Sequence, residues 1–167
     1  MKKAALHNLG CKVNAYETEA MQHLLEEAGY EIVPFTQKAD VYVINTCSVT
    51  NMADRKSRQM LHKAKKNNPD SIVVAAGCYV QTSEKEVLND LSVDIVIGND
   101  RKHDLVRLLE EYSLDSVNDT VDDINDGKHD FEELFIDQTK EHTRAFIKVQ
   151  DGCNQSVSYT HLRAHET

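Results

Sequence analysis

The sequence predicts an α/β fold, a doubly wound parallel sheet with helices on both of its faces. Short continuous apolar runs such as DVYVIN (40–45) and SIVVAA (71–76) are typical of strands that are buried on both sides. Amphipathic segments, with apolar residues three and four positions apart, lie between these runs and have the pattern of covering helices. A chain of 167 residues accommodates one such domain and part of another.

Strand and helix patterns alternate along the first 112 residues. Strands are predicted where apolar residues run together, at 3–9, 31–33, 40–45, 71–76 and 93–97. Helices are predicted at 14–28, 51–67, 83–90 and 101–112. The first and last helices each have an apolar face, made of Met21, Leu24, Leu25 and Ala28 and of Leu105, Leu108, Leu109 and Tyr112.

Local signals mark the helix ends. Asn14 with Glu17, and Ser83 with Glu86, have the spacing of a capping box, so these pairs are predicted to start the first and third helices. Gly29 is predicted to end the first helix. The helix at 51–67 is predicted to stop ahead of Pro69, because the residue before a proline avoids the helical conformation.

The net charge of −9 comes from one segment of the chain. Residues 110–137 contain eleven acidic residues and one lysine, whereas the remainder holds 17 acidic and 18 basic residues. We therefore expect an acidic linker at 113–142, with a short strand near 131–136, between a domain at 1–112 and a new strand at 143–150. Because the acidity belongs to the linker, it does not exclude a nucleic-acid partner.

Several classes of protein are not supported by the sequence. No run of 18 apolar residues occurs, so no transmembrane helix is predicted. The first residues lack the apolar stretch and cleavage site of a signal peptide, and we expect a cytoplasmic protein. Neither glycine-rich phosphate loop, Gly-x-Gly-x-x-Gly or Gly-x4-Gly-Lys-Ser/Thr, is present.

Three cysteines follow three of the predicted strands. Cys11 comes after the first strand, Cys47 after DVYVIN and Cys78 after SIVVAAG. Parallel strands end at one edge of a sheet, where open α/β folds bind ligands, so the three thiols are expected to lie close together. Gly10 and Gly77 precede two of them and would permit close approach of backbone or of a bulky cluster.

Position alone leaves two interpretations open, a shared metal or cluster site and independent buried cysteines. If the site is shared, an iron–sulfur cluster is favoured over structural zinc, which usually uses paired Cys-x2–4-Cys sequences that are absent here. Three thiolates on a four-iron cluster would leave one iron open to an outside ligand. His7 is the histidine nearest to Cys11 in the chain and is the candidate fourth ligand, although a lone histidine more often has a structural role.

The predicted helix at 51–67 is rich in basic residues. It carries six of them against the single acidic residue Asp54. Such a helix can contact a phosphate backbone, and the competing interpretation is an ordinary solvated helix face. The basic residues are Arg55, Lys56, Arg58, Lys63, Lys65 and Lys66.

Four cysteine-containing segments together resemble one family. The runs LGCKVNAYETEAM, VINTCSVTNMADRKSRQ, VVAAGCYVQ and FIKVQDGCNQ, in this order, are similar to the methylthiotransferases, which are radical S-adenosylmethionine enzymes. The similarity spans about residues 1–155. The forms GCKVN and NTCSVTN look most like the subfamily that acts on threonylcarbamoyladenosine in tRNA. The subfamilies for isopentenyladenosine in tRNA and for a ribosomal-protein aspartate are the alternatives.

The resemblance implies cofactors and site residues. It implies that Cys11, Cys47 and Cys78 bind an auxiliary [4Fe-4S] cluster, and that Cys153 is the first ligand of a second [4Fe-4S] cluster, which cleaves S-adenosylmethionine. The implied reaction adds a methylthio group to adenine C2 of threonylcarbamoyladenosine next to the anticodon. The implied partner is therefore the tRNA anticodon region.

The family pattern breaks after Cys153. The radical motif Cys-x3-Cys-x2-Cys requires cysteines at positions 157 and 160, which are Val157 and Thr160 here. We therefore expect residues 143–155 to be the start of a truncated radical domain and residues 156–167 to be a spurious tail. A chain with this sequence is expected to be inactive by itself, and a non-catalytic metal-binding or interaction domain is the alternative from another class.

Overall fold

A computed structural model of the chain describes residues 1–48, 50–113 and 119–120. The described strands form one parallel sheet in the order β2-β1-β3-β4-β5-β6. They are β1 (Lys3–Asn8), β2 (Glu31–Ile32), β3 (Val41–Thr46), β4 (Ile72–Gly77), β5 (Ile95–Ile97) and β6 (Asp119–Thr120). The helices are α1 (Lys12–Glu27), α2 (Asn51–Asn67), α3 (Cys78–Thr82), α4 (Glu84–Leu88) and α5 (Leu105–Tyr112), with a 3-10 helix at Asn99–Asp104.

Helices cover both faces of the sheet, which confirms the predicted fold class. On β3, Val41 and Val43 pack into a core with α1 and α5, whereas Tyr42 and Ile44 pack into a second core with α2, α3 and α4. All six residues of β3 are buried, as expected for a central strand of a parallel sheet. Within the described part of the chain, no helix is long and apolar enough to cross a membrane.

The strand order creates a switch point between β1 and β3. The chain leaves β1 through α1 toward β2 on one side, and leaves β3 through α2 toward β4 on the other side. Helices α1 and α2 lie on opposite faces of the sheet, so the two connections diverge at the carboxyl ends of β1 and β3. Crevices of this kind are where doubly wound sheets bind their ligands.

Neither predicted capping box forms. The predicted start of α1 is wrong, because its N-cap is Cys11 and Asn14 lies inside the helix, buried against neighbouring backbone. Ser83 is the N-cap of α4, as predicted, but its side chain makes no capping hydrogen bond, and its partner Glu86 contacts Arg58 and Tyr79 instead.

Other boundaries differ in detail. The helix predicted at 83–90 is the shorter helix α4, and it is preceded by a short helix that was not predicted, α3, which begins at Cys78 directly after β4. The segment predicted as a helix at 101–112 consists of the end of the 3-10 helix, in which Arg101 has non-helical backbone angles, followed by α5 from Leu105. The end of α1 at Gly29 is confirmed by hydrogen bonds from the amides of Gly29 and Tyr30 to the Glu26 and Leu25 carbonyls.

Part of the predicted acidic linker adds the edge strand β6, which pairs with β5. The predicted strands near 131–136 and at 143–150 lie outside the described residues. The same holds for Cys153 and the proposed tail at 156–167.

Candidate metal centre

The three cysteines that follow strands lie at the carboxyl edge of the sheet, as predicted. Cys11 is exposed at the N-cap of α1, Cys47 is buried directly after β3, and Cys78 is the half-buried first residue of α3 after β4. Strands β1, β3 and β4 are neighbours in the sheet, so these connections are adjacent. The edge therefore presents three thiols from distant parts of the sequence.

Gly10 brings the first two cysteine loops into contact. Its φ is +105°, and a Cβ atom built on it would lie 2.7 Å from both Cβ and Sγ of Cys47. Only a residue without a side chain permits this approach. Gly77 has a similar role at the third loop, because a Cβ there would overlap the Thr46 backbone and the Asn45 side chain. Close approach of a neighbouring backbone is therefore confirmed at Gly77, whereas the neighbour of Gly10 is the Cys47 side chain.

Electrostatic interactions connect the three thiols. Burial raises the pKa of Cys78 to about 11, against a lowering by Lys102 and further increases from Cys47, Cys11 and Glu17. Cys78 therefore lies within electrostatic reach of both other cysteines. Burial therefore favours the protonated thiol at Cys78, and because thiolates are the form that binds metals, a metal there would displace this proton.

Backbone and hydroxyl contacts fix the loop that carries Cys47. The buried Ser57 hydroxyl of α2 accepts a hydrogen bond from the Cys47 amide at 3.3 Å and donates to the Cys47 carbonyl at 3.1 Å. The Thr82 hydroxyl donates to that of Ser48 at 2.9 Å, which ties this loop to α3. The second and third cysteines are thereby held on one framework.

A buried polar cluster lies beside the cysteine edge on the α1 side of the sheet. Asn14 donates from Nδ2 to the carbonyls of Leu9 and Thr46, at 2.8 and 2.9 Å. Asn45 donates to the Asn14 carbonyl at 3.0 Å and to Glu17 Oε2 at 3.4 Å. These contacts hold the amino end of α1 against the ends of β1 and β3.

An ion pair completes this cluster. Lys102 Nζ of the 3-10 helix lies 2.6 Å from Glu17 Oε2, and both side chains are almost fully buried, at 1% and 3% exposure. Lys102 Nζ also donates to Asn99 Oδ1 at 3.1 Å. This pair was not predicted, because Glu17 also has the spacing of a capping residue. One signal was available, since Glu17 lies four residues before Met21 on the inward stripe of α1.

The donor chemistry of the edge suits an iron–sulfur cluster. Among residues 1–48, 50–113 and 119–120, no three histidine, cysteine or carboxylate side chains are arranged to hold a single metal ion. Thiolates are the ligands of iron–sulfur clusters, which span a wider site than one ion does. His7 stacks on Phe35 with ring centroids 5.0 Å apart, and burial followed by the charge of Lys63 lowers its pKa. His7 is thus packed against an aromatic side chain, as expected for a histidine with a structural role.

Most basic side chains of α2 point into solvent. Lys65 is the exception, because its Nζ lies 2.6 Å from Asp94 Oδ2 and donates to the Ser71 carbonyl at 2.7 Å. Arg58 contacts Glu86 at 3.4 Å on the surface. The other four are exposed, and they are Arg55, Lys56, Lys63 and Lys66.

Comparisons with known proteins agree with these motifs. The chain is 44% identical over 161 residues to the "Threonylcarbamoyladenosine tRNA methylthiotransferase MtaB" of Bacillus subtilis (strain 168), covering 95% of this chain and 35% of that protein. It is 40% identical over 159 residues to the protein of the same name from Aquifex aeolicus (strain VF5), covering 94% and 38%. It is 30% identical over 162 residues to the "tRNA-2-methylthio-N(6)-dimethylallyladenosine synthase" of Sulfurihydrogenibium sp. (strain YO3AOP1), covering 94% and 37%.

The chain thus spans little more than a third of the length of the curated relatives that it matches. Residues 3–98, which hold β1 to β5 and all three cysteines of the edge, match a family described as "Uncharacterized protein family UPF0004". That match covers more than half of the sequence, and the chain therefore belongs to the UPF0004 family.

Proposed function

We propose that this chain is the N-terminal, cluster-binding part of a tRNA methylthiotransferase. One observation carries the proposal. Cys11, Cys47 and Cys78 lie after the neighbouring strands β1, β3 and β4 at the carboxyl edge of a doubly wound sheet, in a chain similar to named methylthiotransferases. Cys11, Cys47 and Cys78 would hold a [4Fe-4S] cluster. The fourth iron of such a cluster would have no cysteine ligand and would be open to another ligand.

The residues around the cysteines have defined parts in this proposal. Gly10 keeps the first loop close to Cys47, and Ser57 fixes the Cys47 backbone, so two ligands are held in place before iron binds. Cys78 must give up its proton on binding, because burial keeps it protonated in the free chain. The buried cluster of Asn14 and Asn45 excludes water from the side of the edge that faces α1.

The proposed substrate is threonylcarbamoyladenosine next to the anticodon of a tRNA, with the methylthio group added at adenine C2. The relatives with threonylcarbamoyladenosine in their names are 32% to 44% identical to the chain, against 30% for the dimethylallyladenosine enzyme. Cys153 is followed by Val157 and Thr160 instead of two further cysteines, so the chain lacks the ligand set for a radical cluster. We therefore expect no thiomethylated nucleoside when the chain is incubated with S-adenosylmethionine, a reductant and tRNA. Mass spectrometry of the digested tRNA tests this.

Anaerobic reconstitution with iron and sulfide tests the cluster. The wild-type chain is expected to bind about four iron and four sulfide ions, with the broad visible absorption of a [4Fe-4S] centre. Cys47→Ala is expected to lose this absorption, and Cys153→Ala is the matched control that keeps it. Absence of iron uptake by the wild-type chain would instead favour a non-catalytic interaction domain.

We propose further that the first half of α2 faces the tRNA. Helix α2 starts at the cysteine edge, and its ten-residue rise from Lys56 to Lys66 is about 15 Å. An adenine placed at the cysteine edge therefore brings tRNA phosphates near Arg55 and Lys56, whereas Lys63 and Lys66 lie toward the opposite edge. Lys65 is left out of this surface because Asp94 holds it.

Salt-dependent tRNA binding tests this arrangement. Replacing Arg55 and Lys56 by alanine is expected to weaken tRNA binding several-fold. The slope of log affinity against log salt concentration is expected to fall by about the amount that two phosphate contacts contribute. The matched control replaces Lys63 and Lys66, and it is expected to have a smaller effect. Equal losses in the two double variants would contradict the proposed orientation.

A further inference from the structure

The buried pair of Glu17 and Lys102 is unusual in this fold. Lysine and glutamate are seldom fully buried, and these two are 85 residues apart on α1 and on the 3-10 helix. A buried ion pair seldom stabilises a protein more than well-packed apolar residues of the same size. Stability alone therefore does not explain why two charges are kept here.

Their position suggests a reason. Glu17 accepts a hydrogen bond from Asn45, which lies near the end of β3 and two positions before Cys47. Lys102 follows β5 at the same edge of the sheet, and its ammonium donates to Asn99 Oδ1. The Asn99 amide in turn donates at 3.3 Å to Gln81 Oε1 of α3, the helix that begins at Cys78. The pair is thus tied to the two loops that carry Cys47 and Cys78.

We propose that Lys102 is a positioning residue of the cysteine edge, a fixed cation that Glu17 holds in place and that stabilises the negative charge of three thiolates and their cluster. The inference rests on the proposed function. Asn99 supplies a second acceptor to the ammonium, so Lys102 is held by two side chains that are not cysteines. The negative charge of Glu17 disfavours thiolates at the edge, and its role is to hold the Lys102 ammonium in place.

Opposite effects on the cluster's reduction separate this role from a structural one. One-electron reduction by a chemical reductant adds one negative charge to the cluster. Lys102→Met removes a stabilising cation, so reduction becomes harder and the midpoint potential falls. Glu17→Gln removes a neighbouring anion, so reduction becomes easier and the potential rises. A purely structural pair predicts that both variants change stability in the same direction and gives no reason for opposite shifts in potential.

The experiment is a dye-mediated redox titration of the reconstituted chain, followed by electron paramagnetic resonance. At the wild-type midpoint, Lys102→Met is expected to lower the ratio of reduced to oxidised cluster roughly tenfold, and Glu17→Gln is expected to raise it. Lys65→Met is the matched control, because it breaks an ion pair of the same 2.6 Å length with Asp94 in another part of the domain. It is expected to leave the potential unchanged.

Each outcome decides the matter. A wild-type chain that binds no iron overturns the proposed function and this inference with it. A wild-type chain that binds the cluster, with both variants at the wild-type potential or shifted in one direction, overturns this inference alone. If Lys102→Met does not fold, Glu17→Gln retains a hydrogen-bonding side chain of the same size, and the sign of its shift alone supports or overturns the inference.

Discussion

Replacing Gly10 by alanine tests how tightly the first two cysteine loops are packed. Gly10 has a φ of +105°, which L-residues with a Cβ adopt only with strain, at roughly 1–2 kcal/mol. The new Cβ would also lie 2.7 Å from two atoms of Cys47. Forcing a methyl group into a packed site costs a further 1–3 kcal/mol or so. The structure therefore predicts a loss of about 2–5 kcal/mol in the free energy of unfolding.

Urea denaturation of the chain measures this loss. With a slope of about 2 kcal/mol per molar urea, a loss of 3 kcal/mol lowers the midpoint by roughly 1.5 M. Gly29→Ala is the matched control, since Gly29 also has a positive φ, +85°, but nothing lies within 4 Å of a Cβ there. It is expected to cost only the backbone strain, about 1–2 kcal/mol.

The difference between these two variants isolates the contact with Cys47. If Gly10→Ala is no more destabilising than Gly29→Ala, the two loops are not packed as described. In that case Cys11 and Cys47 are not held close together before metal binds, and the reasoning for a preformed site fails.

Three further predictions concern stability in urea. Burial lowers the pKa of His7 in the folded chain, so at low pH the unfolded wild-type chain binds a proton that the folded chain does not, and stability falls. His7→Phe keeps an aromatic ring but cannot bind this proton, so between pH 8 and pH 5 the wild type is expected to lose more stability than the variant. Equal losses would refute this. Asn14→Leu leaves two backbone carbonyls without their donor and is expected to cost about 2–4 kcal/mol, and a loss below 1 kcal/mol or so would contradict the buried network. Lys65→Met breaks a half-buried ion pair and is expected to cost about 1–3 kcal/mol, whereas Lys3→Met, at an exposed 4.0 Å pair, should cost less than about 1 kcal/mol; the reverse order would count against the structure.

The sheet edge was predictable because it depends on local patterns. Apolar runs located the strands, and parallel strands share an edge, so the positions of Cys11, Cys47 and Cys78 followed without knowledge of strand order. The bounds of α2 were predicted as 51–67 and are Asn51–Asn67 in the structure. Thr50 caps this helix by accepting a hydrogen bond from the Ala53 amide at 3.1 Å, which is a local interaction.

The polar cluster was not predictable, because it depends on contacts between distant residues. Asn14 and Glu17 have the spacing of a cap, but they lie inside α1, where Asn14 binds the end of β3 and Glu17 binds Lys102 of the 3-10 helix. Nothing near Lys102 in the sequence indicates that a partner 85 residues away will bury it. Tertiary contacts therefore outweigh the local capping preference of these residues beside the cysteine edge.

The most direct test of the central claim is anomalous diffraction at the iron absorption edge from crystals of the reconstituted chain. We expect one iron–sulfur cluster at the carboxyl ends of β1, β3 and β4, with iron bonded to the sulfur atoms of Cys11, Cys47 and Cys78. An iron peak elsewhere in the molecule, or iron bonded to fewer than all three of these cysteines, would contradict it.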